Sequence, residues 1–223
     1  MSMAGKLGRA TLDLEEDRLR AIPLLSVSRE TMDRFDLYVG LLQRWQAIKN
    51  LVGPGTMPSI WTRHIVDSAQ LAKFAPDARI WVDIGSGAGF PGLVIAILLA
   101  DRPGFHMHLV ESNGRKVAFL REVARTLKLP ATVHDCRIEA AFAVLPEQID
   151  CLSARALASL KELLEMQANL TKNPCIGLFL KGQDVDAELT EAAKYWNIQA
   201  KIHQSVTDPS GHIVEVIEAH LKA

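Results

Sequence analysis

Cysteine is scarce. Cys136, Cys151 and Cys175 are odd in number and widely spaced, with no CxxC pair. Neither a zinc site nor a disulfide framework is indicated. An excess of charge of one sign is also missing: 25 Lys and Arg stand against 26 Asp and Glu, a formal net charge of −1. That balance excludes a blanket attraction to nucleic acid, so such a partner would require a local basic patch. The apolar runs are too short to span a bilayer, and no signal peptide is evident. Internal repeats and low-complexity segments are absent. The expectation is a cytoplasmic chain with no membrane association, no metal and no obligate protein partner. What is present is 223 residues at 48% hydrophobic content, enough for one sizeable α/β domain plus an appendage.

The most informative stretch is Arg79 to Leu99, RIWVDIGSGAGFPGLVIAILL. An apolar run carrying Asp83 leads into glycines at 85, 87, 89 and 92, and then into an unbroken apolar segment. This reads as a buried strand, a tight glycine turn and a helix packed on the sheet. Glycine serves where the backbone takes positive φ or meets a ligand, and the following helix amino terminus offers N–H groups to an anion. A dinucleotide site wants its third glycine five residues after the first; that position is Phe90. An S-adenosylmethionine (SAM) site wants an acid two positions before G-x-G-x-G, which Asp83, Gly85, Gly87 and Gly89 supply.

Residues 1 to about 27 lack firm periodicity. A short helix from Thr11 to Arg20, ended by Pro23, and partial disorder at the start are expected. Met32, Phe35, Val39, Leu42, Trp45 and Ile48 recur at steps of three and four, which predicts an amphipathic helix over 29–49. A second helix over about 59–74, with Ile60, Ile65, Leu71 and Phe74 inward, completes a small cap. Strands follow at 79–84, 106–111, 131–135, 149–154 and 175–180, alternating with helices at 90–100, 114–128, 158–171 and 184–195. Alternation of this kind predicts a mostly parallel sheet covered on both faces. The terminal runs 198–206 and 212–219 flank Asp208-Pro209-Ser210-Gly211 and read as an antiparallel hairpin. The fold expected is α/β: a Rossmann-like seven-stranded SAM-dependent methyltransferase sheet over 77–223, with a helical cap over 1–76.

Candidate site residues cluster at strand ends. Glu111 closes the second strand about 20 residues past the glycine loop, where an acid binds ribose hydroxyls. Asp135-Cys136-Arg137-Ile138-Glu139 follows the third strand and would border an adenine, with Ile138 on the ring and Glu139 reading its edge. Arg155 follows the fourth strand, at the acceptor edge, as a substrate contact, a partner for an acid, or a structural ion pair. An acidic or amide residue before Pro-Pro-aromatic, used to orient exocyclic amines, is absent there, and Cys151 and Cys175 read as core. An acceptor with its own lone pair, such as guanine N7, fits that absence, with catalysis by positioning. Arg63-His64 in the cap, with Asp67 and Ser68 one turn on, form a polar patch that could overhang the acceptor, and His64 is given no general-base duty. Arg115, Lys116, Arg121, Arg125 and Lys128 share one helix, as a solvated face or part of an RNA-binding face.

DIGSGAGFPG (83–92), RHIVDS (63–68), ES-x-x-RK-x-x-FL (111–120), RIE (137–139), ARA (154–156) and LKG (180–182) together resemble the bacterial 16S ribosomal RNA guanine-N7 methyltransferases. This is the RsmG family, also called glucose-inhibited division protein B (GidB). The resemblance spans about residues 30 to 217. It implies SAM as methyl donor and 16S rRNA or the small ribosomal subunit as partner, with transfer to N7 of guanine-527 in the family. Carried over residue by residue, it implies SAM contacts at Gly85, Phe90, Ile138, Glu139 and Arg155; Gly87 and Glu111 are added from the fold reading. Asn50-Leu51-Val52 and Gly211 before His212 depart from the family pattern away from the donor site. The residues alone leave open a methyltransferase for another RNA, a small molecule or a protein, a non-catalytic SAM-binding assembly module, and a nicotinamide oxidoreductase disfavoured by Phe90.

Overall fold

A computed structural model describes the backbone of residues 3–53, 55–171 and 173–222, and the side chains of those residues from Leu12 onward except residue 49. Seven strands form one sheet in the order β3-β2-β1-β4-β5-β7-β6. Strands β1 (Ile80–Ile84), β2 (His106–Glu111), β3 (Ala131–Asp135), β4 (Cys151–Arg155) and β5 (Ile176–Lys181) are parallel; β6 (Trp196–Gln204) and β7 (His212–Leu221) form the antiparallel hairpin, with β7 against β5. The order reverses at β1, so a crevice opens beyond the carboxyl ends of β1 and β4. The glycine turn follows β1 directly.

Successive strand residues point to opposite faces. Trp81, Met107 and Leu109 join one apolar cluster; Val82, Val110 and Leu152 join another. The first is covered by α4 (Gly92–Leu98) and α5 (Gly114–Thr126), and the second by the short α6 (Ile138–Ala141), α7 (Leu160–Leu170) and α8 (Val185–Ala192). Burial on both faces accounts for the continuous apolar character of the central strands. The loop at β1 is shaped by contact: a Cβ on Gly92 would lie 2.4 Å from Leu109 and 2.6 Å from Asp83 Oδ2.

Helix α2 (Arg29–Lys49) has the expected bounds, capped by Ser28, whose hydroxyl accepts from Thr31 N–H at 3.2 Å. Phe35, Val39 and Leu42 are buried, but Ile48 is 76% exposed; it sits in the last turn of α2, beside the open depression bounded by Trp45 and Glu122. Cap residues Phe35, Tyr38, Leu42, Ile60 and Ile65 share one cluster with the sheet residues Trp81 and Leu109.

Two cap features differ from expectation. Residues 1–2 lie outside the described residues, but α1 runs as one helix over Met3–Leu25 with Pro23 inside it. Proline there forfeits one hydrogen bond, and the helix ends two residues later. Its anchor is polar: the buried Asp17 accepts from Trp61 N–H at 2.8 Å and from Thr62 Oγ1 at 2.6 Å. The second cap helix is composite: a 3-10 turn (Met57–Ser59), a π-helical turn (Trp61–Val66), α3 (Asp67–Ala69) and another 3-10 turn (Gln70–Lys73). Ile60, Ile65 and Leu71 are buried as expected. π turns recur at functional sites, and this one carries Arg63 and His64.

Overpacking a filled core costs about 1–3 kcal/mol, and each kcal/mol moves Tm by roughly 2–4 °C in a chain of this size. Gly92→Ala is expected to lower Tm by several degrees in a circular dichroism melt. Gly114→Ala, where a Cβ meets nothing within 4 Å, should not. Equal melting of Gly92→Ala and the parent would contradict the packing described.

Candidate functional site at the carboxyl edge of the sheet

Asp83 anchors the crevice. It is fully buried, with Oδ1 accepting from Ser153 Oγ on β4 at 2.7 Å, while Ser153 Oγ in turn accepts from Trp81 Nε1 at 3.0 Å. Oδ2 packs against Gly92 without a well-formed hydrogen bond. Burial pushes this carboxyl up to about 7, against the pull of Ser153, Ser86 and the Gly92 amide. Ser86 Oγ donates to the Asp83 carbonyl at 2.9 Å and closes the glycine turn.

Glu111 ends β2 and holds the same turn from the other side. Its Oε2 accepts from Gly87 N–H at 2.9 Å and its Oε1 from Asn113 N–H at 2.7 Å. Each carboxylate oxygen has a second lone pair, so the acid can still accept from a diol. Gly85 takes φ +64, and a Cβ there would lie 2.6 Å from Leu157. A side chain at 85 would be both strained and obstructed.

Four of the residues expected at a donor site line one cavity of about 300 Å³: Gly85, Glu111, Ile138 and Glu139, joined by Lys116 and Leu157. Gly87 lies at its edge through the bond to Glu111. Phe90 and Arg155 are not among the residues lining this cavity. Phe90 is buried behind the glycine turn, its ring 5.6 Å from Tyr38 and 5.1 Å from His64. Tyr38 donates to the Ala88 carbonyl at 2.6 Å, so the cap grips the turn directly.

Arg155 lines a second cavity of about 360 Å³ with Arg63, Asp67, Lys181 and Asp208. Ala156 belongs to both cavities and takes φ +48, a left-handed conformation uncommon for a residue with a Cβ. Of the roles open to Arg155, the geometry selects the acid partner: Nη1 lies 3.0 Å from Asp67 Oδ2, a charge contact not aligned as a hydrogen bond, and Nη2 donates to the Arg63 carbonyl at 2.8 Å. Asp67 Oδ1 accepts from Ser205 Oγ at 2.6 Å, and Arg63 pairs with Asp208 at 2.8 Å. The cap is thus tied to the loop between β6 and β7. Asp67 belongs to the polar patch expected beside Arg63 and His64, whereas Ser205 and Asp208 are not expected at the site: the turn pattern Asp208-Pro209-Ser210-Gly211 marks a hairpin but not its contact with the cap. His64 sits between Phe90 and Arg155; burial, then the charges of Arg155 and Arg63, lower its pKa to about 3. It is a neutral imidazole at any working pH.

Neither Cys151 nor Cys175 lines either cavity; Cys136, just past β3, borders the donor-side cavity with its thiol raised by burial. Cys151 is completely buried with its thiol pushed well up by burial, and burial raises Cys175 to about 12. Among the described residues no cluster of His, Cys, Asp or Glu has the geometry to hold a metal ion.

A mostly parallel seven-stranded sheet, an antiparallel last strand and a glycine turn at the point where the strand order reverses define a Rossmann-like methyltransferase fold. A SAM dependent methyltransferase from Aquifex aeolicus superposes with a TM-score of 0.56 at 15% identity, over 78% of this chain and 98% of that one; the likeness is one of fold. At the level of sequence, the family model described as GidB, rRNA small subunit methyltransferase G, matches residues 31–216. Proteins named ribosomal RNA small subunit methyltransferase G are similar at full length. One from Parvibaculum lavamentivorans is 54% identical over 198 residues, 88% of this chain and 87% of its own. One from Bradyrhizobium sp. (strain ORS 278) is 51% identical over 204 residues, 92% of each. The chain belongs to the rRNA small subunit methyltransferase G family.

Asp83 makes stability depend on pH. Its folded pKa of about 7 lies above the ordinary 3.8, so the folded state holds a proton that the unfolded chain releases. The stabilisation is complete below about pH 4 and is lost as pH rises through about 7. Asp83→Asn keeps an acceptor for Ser153 and cannot ionise. Between pH 5 and 8 the parent should lose more Tm than Asp83→Asn; parallel curves would show that Asp83 does not titrate there.

Proposed function

We propose that the chain transfers a methyl group from SAM to N7 of a guanine in 16S rRNA. The observation that carries this reading is the pairing of a cavity fitted to an adenosyl donor with a neighbouring cavity that no cysteine lines and whose Asp67, Asp208 and Glu188 carboxylates are each held by a cation. SAM supplies an electrophilic sulfonium methyl. Glu111 binds the ribose hydroxyls with its remaining lone pairs, Ile138 packs on the adenine, and Glu139 accepts from its exocyclic amine. Gly85 and Gly87 let the backbone approach the donor closely. Phe90 fixes the back of that turn, and Arg155 closes the side nearest the acceptor. Polar capacity and shape both fit: Glu111 keeps unused acceptor sites, and Gly85 leaves open the space that a Cβ would contest with Leu157.

Guanine N7 carries an in-plane lone pair, so the chain need not remove a proton. Its contribution is to position the base and exclude alternatives, which can supply most of the rate. His64, held neutral by burial and two neighbouring guanidiniums, stacks on the base or hydrogen-bonds to it. A looped or unstacked guanine suits such a pocket, because RNA bases are read in that state.

Calorimetric titration with SAM tests the donor site. Gly85→Ala and Glu111→Ala should each weaken binding at least about tenfold, the equivalent of one lost polar interaction; unchanged affinity in both would remove the assignment. Labelled SAM should transfer its methyl to unmodified 16S rRNA or small subunits, and failure with both substrates would overturn the function proposed.

Acid–base duty is tested separately. His64→Asn should slow single-turnover methylation while leaving the shape of the pH profile between about pH 5.5 and 8.5 unchanged. A limb near pH 6.5, the ordinary imidazole value, that vanishes in the variant would make His64 a base.

A further inference from the structure

A nearly neutral chain that acts on RNA must concentrate its cations somewhere. Several described cations elsewhere are matched to carboxylates: Arg18 with Asp36, Arg34 with Asp101, Arg63 with Asp208, Arg155 with Asp67 and Lys181 with Glu188. Those without such a partner among the described residues, Arg29, Arg44, Arg79, Arg102 and Arg137 among them, are spread over different parts of the fold. Helix α5 departs from that pattern. Arg115, Lys116, Arg125 and Lys128 make no ion pair among the described residues, and Arg121 reaches Asp135 only at 4.0 Å. The one acid of the helix, Glu122, accepts instead from Trp45 Nε1 at 2.9 Å.

The structure divides these cations into two groups. Lys116 turns into the donor cavity. Arg121, Arg125 and Lys128, at spacings of four and three, share one exposed face and line an open depression of about 410 Å³ floored by Leu129, Ala131 and Val133. Its outer wall is β3, the edge strand of the sheet. From Arg121 to Arg125 the helix rises about 6 Å, roughly the axial rise of two phosphates on one strand of a duplex; Lys128 follows the end of the helix in a left-handed conformation, φ +51, and still lines the depression. Gly114 and Ala118 continue the same exposed face toward the carboxyl edge of the sheet. Nothing stands within 4 Å of a Cβ on Gly114, so a backbone laid on the cations can run unobstructed to the site.

We infer that the face of α5 formed by Arg121, Arg125 and Lys128, together with the edge of β3, seats the phosphate backbone of the substrate RNA and orients it toward the acceptor cavity. The inference deepens the proposed rRNA activity and rests on it. The three side chains contact phosphates and carry no sequence information; choice of base belongs to the acceptor cavity.

The test compares the parent with Arg121→Gln/Arg125→Gln/Lys128→Gln, using unmodified 16S rRNA as probe. RNA affinity is read by fluorescence anisotropy across a KCl series, and SAM affinity by calorimetry. The triple variant should bind RNA at least about tenfold more weakly near physiological salt, with the slope of log affinity against log salt reduced by about 2–3, as each phosphate contact contributes about 0.7–0.9. Its SAM affinity and kcat at saturating RNA should stay within about twofold of the parent. Arg125→Gln alone, a minimal change on an exposed position, should remove about 0.7–0.9 of the slope. Unchanged affinity and slope in both variants would overturn the inference. A parent that binds RNA through these cations yet transfers no methyl would overturn the proposed function and leave the inference standing.

Discussion

A carboxyl group cut off from water holds the centre of this molecule. Asp83 must find its partners inside the protein, since burying a polar group without compensation is costly. It finds Ser153 on β4, and through Ser153 the indole of Trp81. That short chain locks β1 to β4 where the strand order reverses. The same carboxylate leaves no room for a side chain at position 92, so the helix after the glycine turn packs tightly on the sheet. Glu111 grips the turn at Gly87 from β2. The proposed donor cavity lies at the carboxyl ends of β1 to β4, and two buried acids set the relative positions of β1, β2 and β4 there.

Around that centre the cap acts through polar wiring as much as through apolar packing. Asp17 fastens α1 to the π turn, and Asp67 fastens the cap to Arg155 and to the loop after β6. Both acids are buried and multiply bonded, which makes the removal of any one partner costly. The π turn therefore presents His64 and Arg63 from a rigid support. Two cavities that share Ala156 as a common wall result, one suited to a nucleoside and one walled by paired charges. Pairing matters: Arg63, Arg155 and Lys181 are each neutralised, which is why the RNA-seating role is proposed for the clustered, unpaired cations on and just after α5.

Much of this was legible in the sequence because it rests on local pattern. Hydrophobic periodicity placed α2 and β2 at their observed bounds, and alternation placed the five parallel strands and the hairpin within two or three residues. The glycine spacing and the acids at 83 and 111 marked the donor side, and Gly85, Glu111, Ile138 and Glu139 do converge on one cavity. Features built on nonlocal polar contacts were not legible. Helix α1 shows no firm apolar stripe because polar side chains do much of its anchoring, Asp17 to the π turn and Arg18 to Asp36 on α2. The partner of Arg155 lies 88 positions earlier, and the loop that completes the acceptor wall comes from the end of the chain. Helical spacing spreads Lys116, Arg121, Arg125 and Lys128 over more than one face, and it is the folded structure that places Lys116 at the donor-side cavity and Lys128 beyond the helix end.

The central claim is chemical: the acceptor is a ring nitrogen that brings its own lone pair, so a site with no cysteine nucleophile and with its carboxylates tied up in ion pairs suffices. Mass mapping of nuclease fragments from 16S rRNA methylated with labelled SAM tests it most directly. The account predicts the label on one guanine, at N7, with strand scission there after reduction and aniline treatment. Label confined to an exocyclic amine or a pyrimidine carbon would contradict it.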